Sequence, residues 1–336
     1  MMKRALFNIL MIVCIGFISS CEKAELPVKL PPKPDNVQLG TADMTENYDR
    51  QVFVNLETGQ QWTADNDDWD LQLEAHAHGF LIRLNGGKGV LVAATGKNKF
   101  AQVNMETLCW RWDGASGMHD SLALAGCYNP SIHTENDSVY VIDRGFAVNA
   151  AERYYQFYVN EISEEHYVIF TANIDGSNVQ KHTIHKNPKK LNVYFSFAQG
   201  GQSVSIEPDN SQWHFCFTRY RWIYYEFTPP LLYTVVGVHI NTSAISVAVD
   251  STHQFENVTP DFAHTLHFSN RRDIIGFEWK YPDFTSTGVR YITRKYINFI
   301  VSEKDAGHEM YKMRFIDFYN DKGIKGTPRY EYLRIQ

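Results

Sequence analysis

The chain has 336 residues, a formal net charge of -6 and a sequence pI near 6.1. It therefore lacks the basic field that steers nucleic acid to a protein, and nucleic acid is excluded as a partner class. Aromatic residues make up 14% of the chain, and such side chains favour the pleated, half-buried surfaces of β-sheets.

The first twenty residues have the parts of a secretory signal. Lys3 and Arg4 precede an apolar run of about fourteen residues and a small-residue cleavage site. A membrane-spanning helix needs about twenty apolar residues, so a retained transmembrane anchor is the weaker interpretation. Residues 18–21 (Ile-Ser-Ser-Cys) resemble a bacterial lipobox, with an ordinary cleaved signal as the alternative. We expect residues 1–20 to be removed and acylated Cys21 to anchor the protein in the outer membrane.

The stretch that follows the cysteine predicts a spacer. Residues 21–39 contain several prolines and are otherwise polar, a composition typical of a semi-rigid linker. The charged residues directly after Cys21 resemble the surface-export signals of Bacteroidetes lipoproteins. This resemblance implies display on the cell surface, and an anchor that faces the periplasm is the alternative.

From residue 40 onward, apolar and polar residues alternate wherever a period can be read. The clearest examples are residues 69–73, 154–159, 213–217 and 311–318. Turn signals such as Asn-Gly-Gly at residues 85–87 follow at short intervals, and no stretch after the signal sustains a helical period over three turns. The sequence therefore predicts an all-β fold of antiparallel hairpins.

Two separate similarities within the chain indicate a tandem duplication. Residues 52–74 and 194–218 share an apolar strand, a Gly-Gln turn and a Trp that opens an alternating strand. Trp69 and Trp213 are 144 positions apart, and so are the two strands that begin at Tyr167 and Tyr311. One large β-domain with similar strands is the alternative. The polar, Pro-containing link at residues 187–190 predicts two β-domains, residues 40–189 and residues 190–336.

The second unit carries the more specific pattern. Its alternating strand from Trp213 is followed near the C-terminus by a Tyr-Lys-apolar-Arg-Phe strand at residues 311–315 and a glycine-rich hairpin at residues 323–326. This succession resembles the HmuY-like family of Bacteroidetes lipoproteins. The first unit resembles it more weakly, most clearly at residues 69–71. The resemblance implies an all-β fold, a lipid anchor, and capture of haem for a TonB-dependent receptor.

Haem capture requires one or two axial donors, usually His or Met, that project into an apolar cleft. The sequence supplies candidates without a motif that fixes them. The irregular stretch where the resemblance places the family's ligand loops offers His253, His264 and His267. The comparable region of the first unit offers Met118, His119 and His133. A solvated loop residue is the alternative interpretation for each.

Three cysteines lie outside the signal and the acylation site. Because the number is odd, at most one disulfide can form, and a bond between Cys109 and Cys127 is the possible one. We expect Cys216, in an apolar strand, to be a buried free thiol. No CxxC pair exists, so a structural zinc site is not expected.

No pattern in the sequence carries catalytic chemistry. The chain contains no nucleophile elbow, metalloprotease helix or phosphate loop, so we expect a binding protein and not an enzyme. The competing function is that of a structural or adhesive surface protein, which would present a protein or glycan interface without a cofactor.

Overall fold

The computed structural model describes residues 36–129, 134–135, 138–146, 148–285, 288–304, 307 and 309–336. The predicted signal, the acylation site Cys21, most of the spacer and His133 lie outside the described residues. In the described ranges, no helix is long and apolar enough to cross a membrane.

The described residues are almost entirely β-structure, which confirms the predicted fold class. The strands are β1 (Gln38–Thr41), β2 (Arg50–Val54), β3 (Gln61–Asp65), β4 (Leu71–Glu74), β5 (Ile82–Leu84), β6 (Leu91–Ala94), β7 (Tyr128–Asn129), β8 (Thr134–Glu135), β9 (Tyr140–Asp143), β10 (Tyr154–Ile162), β11 (His166–Ala172), β12 (Gln180–His185), β13 (Asn192–Ser196), β14 (Gln202–Val204), β15 (Phe215–Tyr224), β16 (Leu231–Ile240), β17 (Ile245–Asp250), β18 (Lys280–Thr285), β19 (Gly288–Thr293), β20 (Asn298–Glu303), β21 (Met310–Tyr319) and β22 (Lys325–Arg334). One short α-helix, α1 (Pro260–Ala263), and several single 3₁₀ turns connect them.

Two sheets form a first sandwich from strands between residues 71 and 204. One has the order β12-β11-β10-β9-β6 and the other the order β14-β13-β4-β5. Alternate side chains of each sheet enter one shared core, which includes Leu71, Phe157, Tyr167 and Phe195.

The second sandwich is built from both ends of the chain. Its sheets have the orders β1-β22-β21-β20-β17 and β16-β15-β2-β3, and its core includes Val52, Phe217, Trp279 and Phe315. β1 begins at Gln38, inside the predicted spacer, and pairs with the last strand of the chain. The ordered fold therefore starts before residue 40.

The chain does not divide in space at the predicted boundary of residues 189 and 190. β13 and β14 follow that boundary, yet β13 pairs with β4 of the first half. Conversely, β2 of the first half pairs with β15 of the second. The predicted domains 40–189 and 190–336 thus exchange their first hairpins. Periodicity shows which face of a strand is buried but not which sheet edge accepts its backbone, and so it could not reveal the exchange.

The contacts around the exchanged hairpins repeat between the halves. Asn85 Nδ2 donates to the carbonyl oxygens of Asn66 and Trp69, at 2.8 and 2.9 Å. Asn241 Nδ2 donates at the same distances to the carbonyl oxygens of the residues 144 positions further on, Asn210 and Trp213. The registers also correspond, since β4 meets β13 as Leu71↔Phe195 and β15 meets β2 as Phe215↔Val54. This repetition is what a tandem duplication predicts.

A buried ion cluster joins the strands of the first sandwich. The Asp70 carboxylate is fully buried and accepts hydrogen bonds from Lys88 Nζ at 2.6 Å and Arg144 Nε at 2.9 Å. It also accepts the backbone N–H of Phe197 at 2.7 Å. Buried carboxylates are stable only when their oxygens are satisfied in this way.

The three cysteines that the structure describes form no disulfide. Cys109, Cys127 and Cys216 are all free thiols, so the bond considered between Cys109 and Cys127 is not formed. Cys216 is buried, as predicted, and Cys109 is exposed.

Candidate functional site

A cleft of about 670 Å³ lies between the two inner sheets, the one containing β4 and β13 and the one containing β2 and β15. We call it the central cleft, and its size is that of a small-molecule site. Strand alternation explains its lining: Val52 and Val54 of β2 point into the second core, whereas Phe53 between them faces the cleft. Gln72 in β4 and Tyr194 in β13 reach the cleft by the same alternation.

A chain of hydrogen bonds crosses the central cleft from one sandwich to the other. Arg272 Nη1 donates to Gln72 Oε1 at 3.2 Å, and Gln72 Nε2 donates to the Tyr194 hydroxyl at 3.1 Å. That hydroxyl donates to Glu207 Oε2 at 2.9 Å, while Glu207 also accepts the backbone N–H of Asn192. The chain fixes the Arg272 guanidinium at the point where the two halves meet.

His239 is held in one protonation state beside Arg272. Arg272 Nη2 lies 2.8 Å from His239 Nδ1, and because a guanidinium has only donors, Nδ1 must be the acceptor. The proton of the neutral ring therefore resides on Nε2. Burial, reinforced by the positive charges of Arg272 and Arg83, lowers the pKa of His239 well below 6.5.

The lining of the central cleft is rich in cations. It contains two acids, Glu74 and Asp113, and five arginines, Arg83, Arg219, Arg221, Arg271 and Arg272. Arg83 pairs with Glu74 at 3.0 Å, but within the described residues Arg272 forms no ion pair. Burial, with the nearby charge of Arg83, lowers the Arg272 pKa to about 10, so it remains a cation at neutral pH. The cleft thus holds an uncompensated positive charge.

Asp113 does not balance this charge fully. Its two carboxylate oxygens accept the backbone N–H groups of Leu84 at 2.7 Å and Ala123 at 2.8 Å. Burial raises the pKa of Asp113 to about 6 despite these bonds. Asp113 is therefore mainly a carboxylate at neutral pH, but this single charge lies near both Arg221 and Arg272.

Several buried polar atoms of the central cleft have no hydrogen-bond partner within the described residues. They are Trp69 Nε1, Trp213 Nε1, Arg219 Nε, Tyr220 Oη and His239 Nε2. All can donate a hydrogen bond, and four of them can do nothing else in the states described above. Buried donors in native proteins nearly always have a partner, so this cluster favours a ligand that offers acceptors.

The structure brings only part of the predicted haem-ligand set to the central cleft. Met118 and His119 lie at its rim, on the loop that follows Asp113. His253, His264 and His267 do not line it: His253 packs on Phe262 with ring centroids 3.9 Å apart, and the other two are exposed.

Among the donor side chains at the rim, Met118 is the one suited to ligate haem iron. His119 Nε2 lies 3.1 Å from the Ala125 carbonyl oxygen, so that nitrogen is the protonated one. His239 Nε2 also carries a proton and cannot ligate iron in that state. The Met118 side chain is 53% exposed at the rim, and its sulfur has no hydrogen bond in the described structure. Thioether sulfur is an established axial ligand of haem iron.

Sequence reasoning missed the residues at the floor of the central cleft. No pattern in the sequence marks Arg272, Gln72 or His239 as a ligand-binding residue. The alternation of β16, in which Val238 and Ile240 enter the second core, already placed His239 on the opposite face. The sequence did not show that this face borders a cleft, because the exchanged hairpins create it.

Comparison with known proteins finds a family similarity over part of the chain. A sequence model described as HmuY protein matches residues 47–190. This match confirms the resemblance noted in the sequence, but it falls in the first predicted unit, where the resemblance was judged weaker. No curated protein matches the chain.

Solved structures show only distant similarity. Apo PinO from Porphyromonas gingivitis is 10% identical with a TM-score of 0.32, over 90% of this chain and 99% of its own. An HmuY-like protein from Bacteroides vulgatus ATCC 8482, for which heme binding has been suggested, is 11% identical with a TM-score of 0.25, over 93% and 99%. A protein from Bacteroides fragilis NCTC 9343 described as a candidate lipoprotein is 12% identical with a TM-score of 0.22, over 94% and 99%. These TM-scores are too low to carry an argument.

Proposed function

We propose that this chain, whose residues 47–190 match the HmuY family model, is a surface lipoprotein that captures haem or a related tetrapyrrole in the central cleft. We further propose that Cys21 tethers it to the outer membrane and that a TonB-dependent receptor takes over the ligand. The protein then acts by binding and release, without a reaction of its own.

One observation carries the proposal. The central cleft combines the volume of a small-molecule site with a cluster of buried donors that lack partners. Aromatic side chains such as Phe53, Trp69 and Trp213 add apolar surface for a flat ligand. Haem supplies a flat apolar body and acidic edges, and the family match favours it among such ligands.

Particular residues would hold the group. Met118 would provide an axial donor at the rim, and Arg272 would face the acidic edge of the ligand at the floor of the cleft. When bound, haem would supply an iron centre for ligation and no chemistry that this chain needs for capture. Gln72 and Tyr194 would orient Arg272 through the hydrogen-bond chain described above.

Hemin titration of the protein that begins at residue 22 tests the proposal. We expect a shifted Soret band in the wild type and a weakened or displaced band in Met118→Leu. The matched control is His264→Ala, which removes an exposed histidine that does not line the cleft and should leave the band unchanged. No spectral change with the wild type in either redox state would refute haem capture.

The adhesive alternative has its own structural support. Tyr225, Phe227 and Tyr233 on the β15–β16 hairpin are each more than half exposed, as is Phe284 on the β18–β19 hairpin. Exposed aromatic side chains can stack on sugar rings or anchor a protein interface. A double change of Tyr225 and Phe227 to Ala should abolish binding to immobilised oligosaccharides if this alternative holds, and should leave hemin binding intact.

A further inference from the structure

We propose that the floor of the central cleft is a carboxylate-binding pocket, in which Arg272, the Nε2–H of His239 and the Tyr220 hydroxyl together receive an acid group of the ligand. This inference deepens the proposed function. It rests on that function in one respect, namely that the central cleft is the ligand site. It concerns the ligand's acid group and not its metal.

The three groups lie together on the second sandwich. Arg272 Nη2 is 2.8 Å from His239 Nδ1, and the rings of Tyr220 and His239 have centroids 4.4 Å apart. Tyr220 and His239 are each more than nine-tenths buried, and Tyr220 Oη and His239 Nε2 have no hydrogen-bond partner in the described structure. Two buried polar groups without a hydrogen-bond partner therefore lie close to Arg272.

These groups all act as hydrogen-bond donors. A guanidinium has no acceptor, and the His239 tautomer set by Arg272 makes Nε2 a donor as well. The indole N–H groups of Trp69 and Trp213, one from each half, are unpaired in the same cleft. A ligand that contributed donors here would leave these groups unsatisfied, whereas a ligand with several acceptor atoms would satisfy them.

The charge distinguishes a carboxylate from a neutral acceptor. Arg83, Arg219 and Arg271 are each paired with a protein carboxylate. Arg272 has only the neutral partners Gln72 and His239. Arg272 is partly buried and has no direct ion-pair partner in the described structure, so a ligand carboxylate would give it charge-assisted hydrogen bonds that it now lacks.

The test compares acids with their uncharged derivatives on the wild-type protein, so that it does not depend on a variant that folds. Metal-free protoporphyrin IX is titrated against its dimethyl ester, and 2-naphthoate against 2-naphthamide. Binding is followed by the indole N–H signals of protein labelled with ¹⁵N-tryptophan. We expect both acids to shift the Trp69 and Trp213 signals, with at least about tenfold weaker binding of the ester and the amide.

Variants then locate the charge. Arg272→Met should weaken binding of both acids at least about tenfold, whereas Arg272→Lys, which keeps the charge, should restore part of it. Trp69→Phe and Trp213→Phe assign the two signals. Trp279 also has an unpaired indole N–H, but it lies in the second core and not at the cleft, so its signal is the internal control and should not move.

The outcomes separate this inference from the proposed function. Equal binding of the acids and their uncharged partners, or unchanged acid binding by folded Arg272→Met, would overturn the carboxylate pocket. Acid-dependent shifts of both indole signals without any Soret change on adding hemin would support the pocket and refute haem. Shifts at the Trp279 signal alone would show binding outside the central cleft and would count against both.

Discussion

Replacing Asp70 with Asn should destabilise the protein strongly. The change keeps the side-chain shape but leaves the buried ammonium of Lys88 and the buried guanidinium of Arg144 without their shared carboxylate. Removing one partner of a buried ion pair typically costs about 3–5 kcal/mol. Asn keeps only one acceptor oxygen, so it also cannot accept from all the donors around Asp70, which include the Phe197 N–H. Urea unfolding followed by tryptophan fluorescence and far-UV circular dichroism measures the free energy of unfolding.

The matched control is the ion pair between Arg329 and Asp321. The Asp321 side chain is 90% exposed, so Asp321→Asn should cost under about 1 kcal/mol. If Asp70→Asn also costs less than about 1 kcal/mol, the buried cluster does not stabilise the first sandwich as argued. A Lys88→Met, Asp70→Asn double variant removes one of the two unpaired cations, and greater stability than that of Asp70→Asn alone would show that the uncompensated charge causes the loss.

Three further predictions concern single sites. In the unfolded chain His239 gains a proton as the pH falls below 6.5, but in the folded protein it stays neutral. The free energy of unfolding should therefore decrease as the pH falls through that range. This residue alone should add a slope of up to about 1.4 kcal/mol per pH unit. Denaturation of His239→Gln across the same range should show a shallower slope, and an equal slope would contradict the burial argument. Gly145→Ala should lower the free energy of unfolding by more than about 1 kcal/mol, because φ is +79° and the added Cβ would lie 2.1 Å from a backbone oxygen. Gly59→Ala, with φ +70° and open space around the added Cβ, should destabilise the protein less in the same thermal melt. The reverse order would be inconsistent with the close approach at Gly145. Cys109 should react fast with a thiol reagent in the native protein, whereas burial raises the pKa of the Cys127 and Cys216 thiols and shields them. Three reactive thiols in the native state, or only one in denaturant, would contradict this prediction.

The strands were largely predictable, and their partners were not. Alternation such as that of residues 213–217 depends only on one face being buried, and this holds whichever sheet the strand joins. The repeat between Trp69 and Trp213 was visible because both indoles occupy the same structural position, beside an Asn that ties two carbonyl oxygens. The sequence does not predict the exchange of the β2–β3 and β13–β14 hairpins, because the strands at both sheet edges have nearly the same alternation of apolar and polar residues.

The candidate site was predictable only at its rim. Met118 and His119 were recognised as possible donors on a loop, which requires no knowledge of long-range contacts. The floor of the central cleft depends on Gln72 and Arg272 meeting across two sandwiches, 200 positions apart in the chain. Single-sequence patterns describe local periods, so side chains that meet only through exchanged strands carry no local signal.

The construction of the second sandwich from both ends of the chain sets the order in which the molecule can assemble. The first sandwich has all its strands once residue 204 has emerged, whereas β1 finds its neighbour only when β22, the final strand, is available. Such a long sequence separation makes this closure slow and leaves early strand edges uncovered in the meantime. A chain that emerges from its N-terminus must therefore keep Gln38–Thr41 unpaired until β22 has been made, whereas β2 can pair at once with β3 and waits only for β15. Truncation before β22 would leave β1 without its neighbour and exposed to other chains.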